Sequence, residues 1–270
     1  MSAKGTIVDT HCHIHDSEFA QKFKDKSPDT MIQEAATEGV RQLICVGTDY
    51  TSSEQALEFC ASRDACYASV ALHPHEAANM DAQSIAKAME DLRSLAVDSR
   101  DGLVAIGEAG LDYFYHDDPR THELQGLLLR EHLSLAKELD LPLIFHVRDA
   151  FDEFFRAFDE FSGLRGVIHS FSATEAELAG TLQRGLYVGL NGIMTFTKRA
   201  DQLSAAKAVP LDRLILETDA PFLTPVPFRG KMCEPKHVVL TANFLSELRG
   251  ESYEELTSVT TSNARKLFGI

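Results

Sequence analysis

Thr6-Ile-Val-Asp-Thr-His-Cys-His13 joins a short apolar run to two histidines that are one residue apart. Side chains two positions apart point to the same face of an extended strand. Both imidazoles can therefore converge on one metal ion without a bend in the backbone. The stretch predicts a strand that ends at a metal site.

Seven further apolar runs occur along the chain, and a segment with helical spacing follows each of them. The predicted strands are Thr6–Asp9, Gln42–Val46, Cys66–Leu72, Leu103–Gly107, Pro142–Phe145, Gly166–Ile168, Leu186–Leu190 and Leu214–Leu216. Nearly continuous apolar runs are typical of strands that are buried on both faces of a parallel sheet. Eight such units predict an α/β fold, the (β/α)8 TIM barrel, which has about 250 residues. The chain has 270 residues.

Residues that commonly bind metals follow six of these eight predicted strands. They are His11, His13, His73, His75, Glu108, His146, His169 and Asp219. In a (β/α)8 barrel the carboxyl ends of all strands lie around one mouth, where the chemistry takes place. We therefore expect these side chains to form one site.

The donor types predict the kind of ion and the number of ions. Imidazole together with carboxylate suits zinc, manganese, iron or nickel, whereas oxygen alone would suit calcium or magnesium. Six of these residues, the set without His73 and His75, are predicted ligands, which is more than one tetrahedral ion can bind. They fit two divalent ions, here zinc, manganese or magnesium, that share a bridging carboxylate. Glu108 is the predicted bridge, because a carboxylate can bind one ion through each oxygen. One ion is assigned to His11, His13 and Asp219, and the other to His146 and His169.

Six motifs in chain order resemble the successive motifs of the TatD family of metal-dependent deoxyribonucleases, within the amidohydrolase-like barrels. They are Asp9-Thr-His-Cys-His13, Leu72-His-Pro-His75, Ile106-Gly-Glu-Ala-Gly-Leu-Asp-Tyr113, Phe145-His-Val-Arg-Asp-Ala150, Ile168-His-Ser-Phe-Ser172 and Leu216-Glu-Thr-Asp-Ala-Pro-Phe-Leu223. The resemblance implies a phosphodiesterase with exonuclease or repair-type activity on DNA, and it places the family's ligands on the six residues named above. The chain departs from the family at Cys233, where asparagine is usual, and this departure puts the substrate preference in doubt.

The expected mechanism uses two ions about 3.5–4 Å apart, which hold a bridging hydroxide and stabilise the attacking and leaving oxygens of a phosphodiester. Asp219 and Glu108 are the predicted catalytic residues, and Asp219 accepts the proton of the attacking water. Arg148 shares its strand face with His146 and can grip a phosphate by a bidentate fork. A structural salt bridge with Asp149 or a helix end is the alternative for Arg148. The other predicted substrate-binding residues are His73 and Arg229.

Composition limits the partners. The chain carries 26 lysines and arginines against 41 acidic residues, a net charge of −15. So acidic a chain lacks the broad basic surface on which stable binding of long duplexes depends. We expect DNA or a short oligonucleotide as a transiently bound substrate, engaged at an end. No obligate protein partner and no membrane partner is predicted.

Residues 1–270 are predicted to form a single domain, because no linker or repeat divides them. Neither a signal peptide nor an apolar run of about 18 residues is evident, and the five cysteines are odd in number and not closely paired. These features predict reduced thiols and a cytoplasmic location.

Two alternatives from other functional classes remain. The first is an amide, ester or lactone hydrolase of the amidohydrolase type, because the same activated water attacks a carbonyl carbon. The second is a metal-binding scaffold without activity, against which the six convergent polar groups argue, since burying them has a cost. A substrate panel of phosphodiesters, amides and lactones distinguishes the first alternative from a nuclease. An Asp219→Asn variant distinguishes the second, because it would abolish turnover in an enzyme and spare most binding by a scaffold.

Overall fold

The computed structural model describes residues 6–20 and 26–270, and its strands and helices alternate along the chain. The strands are β1 (Ile7–Cys12), β2 (Val40–Val46), β3 (Cys66–Val70), β4 (Leu103–Asp112), β5 (Leu143–Arg148), β6 (Gly166–Ile168), β7 (Tyr187–Leu190) and β8 (Leu214–Leu216). The helices are α1 (Ser17–Ala20), α2 (Pro28–Thr37), α3 (Tyr50–Cys60), α4 (Ala82–Asp98), α5 (Pro119–Leu139), α6 (Phe151–Asp159), α7 (Glu175–Gln183), α8 (Ala200–Ala208), α9 (Val238–Arg249) and α10 (Tyr253–Phe268).

The eight strands form one sheet in the order β1-β2-β3-β4-β5-β6-β7-β8. The end of β1 also pairs in parallel with the segment after β8, through a bridge between Cys12 and Ala220. A parallel sheet whose order follows the chain, with helices between the strands, is the (β/α)8 arrangement. The predicted fold class is therefore confirmed.

Contacts within the chain divide the protein into two compact units. That residues 1–270 form a single domain stays a prediction. Unit 1 contains the described residues up to Cys45 together with Ser170–Ile270, and unit 2 is Val46–His169. In the part of the chain that the structure describes, no helix has the length and apolar character required to span a membrane.

In unit 1, side chains of α10 fasten the helix to the strands beneath it. The amide of Asn263 donates to the carbonyl oxygens of Leu211 and Leu214, at 2.8 and 2.9 Å. On the neighbouring strand, the Thr10 hydroxyl donates to the Leu216 carbonyl at 3.0 Å. These buried polar groups exchange water for protein partners, which avoids the penalty for an unmade hydrogen bond. They hold β1 beside β8, where the candidate ligands of this unit begin.

In unit 2, β4 and β5 pair along a longer register than the apolar runs predict. Partners include Ala109 with Phe145, Gly110 with His146, and Asp112 with Arg148. All ten residues of β4 are buried, so the strand continues past the predicted end. A Cβ at Gly110 would collide with the carbonyl oxygen of His146, so only glycine fits there.

Short polar residues set where the helices begin and end. The Asp49 carboxylate accepts from Ser52 N at 2.8 Å and starts α3, and Asp118 does the same for Thr121 N at 2.9 Å, at the start of α5. Each side chain satisfies a backbone donor that the helix leaves unpaired. Gly250 ends α9 with φ of 73°, a left-handed conformation that glycine adopts without a steric cost. The helices are thereby confined to the segments between strands.

Candidate metal centre

Cluster 1 consists of His11, His13 and Asp219, all in unit 1. The Nε2 atoms of His11 and His13 lie 3.2 Å apart, as expected for side chains two apart on one strand face. Asp219 Oδ1 lies 3.7 Å from the first nitrogen and 3.4 Å from the second. Both histidines are buried. Three ligand-type atoms thus converge on one small volume away from bulk water.

The backbone after β8 is shaped to bring Asp219 to this place. Asp219 N donates to the His11 carbonyl at 2.8 Å, and His13 N donates to the Ala220 carbonyl at 2.7 Å. The φ angle of Asp219 is 63°, in the left-handed region that few residues other than glycine and asparagine adopt. A sharp turn held by two cross-strand hydrogen bonds therefore aims the carboxylate at the histidines.

Cluster 2 consists of His73, Glu108, His146 and His169, all in unit 2. Glu108 Oε1 lies 2.7 Å from His146 Nδ1, 3.3 Å from His169 Nε2 and 3.5 Å from His73 Nε2. One carboxylate oxygen thus faces three imidazoles from three different strand ends. His73, Glu108 and His146 are spaced so that their ligand atoms can hold one ion.

The donors of cluster 1 pass a geometric test for a divalent ion. Ligand atoms about 2.0–2.2 Å from a zinc ion lie about 3.0–3.5 Å from one another in a tetrahedral or octahedral shell. The distances in cluster 1 run from 3.2 to 3.7 Å, so a small inward movement is enough. The donor types, two imidazoles and one carboxylate, suit the same ions.

Asp112 orients His75 and His146 in unit 2, and the sequence analysis did not identify it. Its Oδ2 lies 3.0 Å from His146 Nε2 and 2.9 Å from His75 Nε2. Burial opposes ionisation, but the hydrogen bonds from His146 and His75 outweigh it and hold the pKa of Asp112 well below its ordinary value. Carboxylates in this position fix the ring of a metal-binding histidine. No sequence signal identified it, because the predicted fourth strand ended at Gly107, before Asp112.

His73 and His146, two histidines of cluster 2, have different electrostatic surroundings. Burial lowers the pKa of His73 to about 4, although Glu108 acts in the opposite direction, so this ring is neutral at pH 7. For His146, the carboxylates of Asp112 and Glu108 more than offset burial, and they raise the pKa above its ordinary value. A ring between two carboxylates is a favourable place for a cation.

Acidic residues beside the ligands of cluster 1 hold the backbone. Asp9 accepts from Thr218 N at 2.8 Å and from the Thr218 hydroxyl at 2.6 Å. Burial raises the pKa of Asp9 to about 8, although these hydrogen bonds lower it. Glu217 Oε1 accepts from Ser170 N at 2.7 Å and from Asn191 Nδ2 at 3.2 Å. Glu217 thus fastens the segments after β6 and β7.

The predicted substrate-binding residues occupy distinct positions. His73 belongs to cluster 2, while Arg148 ends β5 two residues after His146. In unit 1, the Arg229 guanidinium lies 3.6 Å above the Phe196 ring and donates to the Thr224 carbonyl at 3.0 Å. Within residues 6–20 and 26–270, no carboxylate oxygen lies within 4.0 Å of the Arg148 guanidinium, so the alternative salt bridge with Asp149 does not form.

Cys233, where the resembling family usually has asparagine, is fully buried in unit 1. Burial and the nearby carboxylates of Asp9 and Asp219 raise the pKa of its thiol well above the ordinary value. Its backbone N donates to the Pro221 carbonyl at 3.1 Å. The residue therefore packs as a neutral thiol behind the segment that carries Asp219. All five cysteines are buried, and none of them forms a disulfide.

Comparison with known proteins gives consistent matches over the whole chain. The model of the family described as "TatD related DNase" matches residues 8–269. The metal-dependent hydrolase YabD of Bacillus subtilis is 33% identical, over 98% of this chain and 99% of its own. A protein named "3'-5' ssDNA/RNA exonuclease TatD", from Cronobacter sakazakii, is 35% identical over 97% of both chains. The crystal structure of the TatD homologue YjjV from Escherichia coli has a TM-score of 0.87 and 28% identity, with 98% of each chain covered.

Proposed function

This chain belongs to the TatD related DNase family of metal-dependent hydrolases, and from that membership we propose that it is a deoxyribonuclease that cleaves phosphodiester bonds at short or single-stranded ends of DNA. The observation that carries the proposal is the spacing of the ligand atoms in cluster 1, which suits a divalent ion. The name of the relative from Cronobacter sakazakii supports a nucleic-acid substrate.

Cluster 1 and cluster 2 would each hold one divalent ion, zinc, manganese or magnesium. In cluster 1 the ligands are His11, His13 and Asp219, and in cluster 2 they are Glu108, His146 and His169. Bound ions of this kind acidify a water molecule and stabilise negative charge on phosphate oxygens. That Glu108 bridges the two ions stays a prediction from the sequence.

The residues of the chain perform the remaining steps. The Asp219 carboxylate accepts the proton of the attacking water, and the neighbouring imidazoles of cluster 1 hold that carboxylate in place. Arg148 donates two parallel hydrogen bonds to two non-bridging oxygens of the phosphate. The planar guanidinium is the side-chain group that fits this geometry. Asp112 keeps the His146 ring oriented toward cluster 2. Glu108 completes the catalytic pair named from the sequence.

The charge of the chain favours ends over long duplexes. With a net charge of −15, long-range attraction of a polyanion is weak. Each bound divalent ion would contribute about two positive charges at its own cluster, which is enough for a short contact. We therefore propose transient binding of a few nucleotides.

A carbonyl substrate is the second candidate from the sequence. A solved structure named as a PTE-like lactonase, from Deinococcus radiodurans, is 14% identical, and the likeness shows the fold alone. The donor set of cluster 1 suits either reaction, because the activated water attacks phosphorus or carbon. The choice between them therefore rests on a substrate panel.

The decisive experiment combines metal quantitation with that panel. Purified protein is analysed for bound metal, stripped with a chelator, reconstituted with zinc, manganese or magnesium, and assayed on single-stranded DNA, duplex DNA, amides and lactones. We expect about two equivalents of metal per chain and hydrolysis of single-stranded ends. Full activity with less than one equivalent would overturn the two-ion proposal, and turnover of carbonyl substrates alone would overturn the nuclease.

A further inference from the structure

The segment after β4 exposes two large aromatic rings side by side in unit 2. Phe114 is 56% exposed and Tyr115 is 62% exposed. Their ring centroids lie 5.4 Å apart in an edge-to-face arrangement. Single exposed apolar residues are ordinary, but paired aromatic rings beside a candidate active site are a common feature of ligand-binding surfaces. The pair therefore requires an explanation other than packing.

Arg148 completes this surface, which we call the platform (Phe114, Tyr115 and Arg148). The guanidinium carbon lies 3.7 Å from the Phe114 ring centroid and 5.2 Å from the Tyr115 centroid. A cation over an aromatic face is attracted by the electron density of the ring, so these rings stabilise the position of the arginine without an acidic partner. The platform thus offers flat surfaces and positive charge together.

One carboxylate connects the platform to cluster 2. Asp112 Oδ1 accepts from Phe114 N at 3.0 Å and from Tyr115 N at 3.1 Å, and its other oxygen lies 3.0 Å from His146 Nε2. Arg148 is the register partner of Asp112 on the adjacent strand. One oxygen of the Asp112 carboxylate thus holds the backbone of the platform, and the other oxygen holds the candidate ligand His146. The platform is therefore fixed in position relative to His146.

We propose that the platform binds one unpaired nucleobase of the substrate by stacking, while Arg148 holds the adjacent phosphate. This proposal rests on the proposed nuclease function. Aromatic rings and guanidinium planes stack on the bases of single strands with little regard to sequence, and the charge of the arginine complements the backbone. A base inside a duplex is covered by its neighbours on both faces. The platform consequently selects a strand end with a free base.

The test removes the base from the substrate and the rings from the protein. Single-stranded hexanucleotides are prepared with an abasic residue at each of the three terminal positions in turn, and kcat/KM is compared with that of the complete strand. We expect the wild-type protein to lose about tenfold at one position, in line with stacking contributions at single-strand sites. In Phe114→Ala combined with Tyr115→Ala, we expect the same abasic substrate and the complete strand to be cleaved equally well.

A matched control exists in the same unit. The guanidinium carbon of Arg63 lies 4.0 Å from the centroid of the Phe59 ring, near the carboxyl end of α3. This pair precedes the start of β3, whereas the candidate ligands lie toward or beyond the carboxyl ends of the strands. Phe59→Ala is expected to retain the tenfold discrimination. A wild-type protein that ignores the missing base, or a double variant that still discriminates tenfold, would overturn the platform.

Binding separates this proposal from the nuclease proposal. Fluorescence anisotropy with a labelled hexathymidine is measured in EDTA, where hydrolysis does not occur. If the strand binds to the wild type and about tenfold more weakly to the double variant, the platform stands, even when no phosphodiester is hydrolysed and the proposed function fails. If DNA is hydrolysed but neither binding nor discrimination depends on the rings, the nuclease stands and the platform fails.

Discussion

At the scale of single residues, Asp219 shows how a backbone constraint and a chemical role coincide. Its φ of 63° is unfavourable for most side chains, while aspartate and asparagine tolerate it. Its carboxylate faces the nitrogens of His11 and His13. Asparagine can therefore replace Asp219 with the backbone kept, whereas alanine would add strain to the loss of the ligand.

Asp219→Asn is expected to lower kcat at least about 100-fold, because the amide neither accepts a proton nor balances the charge of a cation. The variant is also expected to bind less metal at cluster 1 than the wild type. Turnover of single-stranded DNA, metal content and circular dichroism are measured together. A variant that folds like the wild type and retains activity within about threefold would contradict the assigned role.

Residue type and position together made the ligands predictable from the sequence. Histidine and carboxylate residues at the ends of apolar runs are visible without a structure, and the motifs of the resembling family fall on the same positions. Asp112 was not predicted, because β4 was expected to end at Gly107, and a residue beyond the strand has no predictable face. The pairing of β4 with β5, which extends the strand, depends on tertiary contacts that no local pattern records.

His132 is a buried residue whose protonation controls stability. Its Nε2 accepts from Leu72 N at 3.0 Å, and its Nδ1 lies 2.8 Å from the Leu128 carbonyl, so the ring is neutral with the proton on Nδ1. Burial lowers its pKa to about 4, although the hydrogen bond to Leu128 acts in the opposite direction. In the unfolded chain the ring binds a proton below its ordinary pKa of 6.5. In the folded chain it binds the proton only below a pKa of about 4.

Stability from His132 is therefore complete above pH 6.5 and is lost as the pH falls toward 4. The loss amounts to about 3 kcal/mol, at about 1.4 kcal/mol for each pH unit. We expect His132→Gln to have a lower free energy of unfolding at pH 7 and a flatter dependence on pH between 4 and 6.5. Urea unfolding in EDTA at several pH values measures both quantities. Equal slopes for variant and wild type would refute the assignment.

At the scale of elements, the starts of the strands were predicted better than their ends. Apolar runs marked all eight strands, and the bounds of β6 and β8 agree with the prediction. The strands that carry ligands continue further: β1 includes His11, β4 includes Glu108 and β5 includes His146. Polar ligands interrupt the apolar pattern although the backbone stays extended and paired. The function of these strands is thus the reason that their ends were mispredicted.

Asp112 links β4, β5 and the segment before α5, so its replacement tests the connection between these elements. Asp112→Asn is expected to lower metal affinity at cluster 2 by about 10–100-fold, as the loss of a ligand-orienting carboxylate commonly does. Competition with a chromophoric chelator measures the affinity. Asp118→Asn makes the same chemical change at the N-cap of α5, where asparagine caps equally well, and it is expected to bind metal like the wild type. Equal affinities for both variants would contradict the orienting role.

At the scale of the whole molecule, the fold was predictable because eight alternating units leave few topologies open. Parallel strands joined by helices connect with one handedness, and consecutive strands are usually neighbours. The observed strand order follows the chain without exception. The exposed platform was not predictable, since Phe114 and Tyr115 have the same apolar character as core residues. Only their exposure and the position of Arg148 distinguish them.

The acidic surface yields a prediction about salt. Each phosphate that a protein neutralises on a single strand contributes about −0.7 to the slope of log affinity against log salt concentration. With a net charge of −15 and Arg148 as the principal contact, we expect a slope of about −0.7 for a hexanucleotide, measured by anisotropy in EDTA between 50 and 300 mM salt. Arg148→Ala is expected to bring the slope close to zero, because it removes that contact. A slope steeper than about −4, or tighter binding to a long duplex than to the single strand, would reveal a broad basic surface that contradicts the short, end-directed contact proposed for this protein.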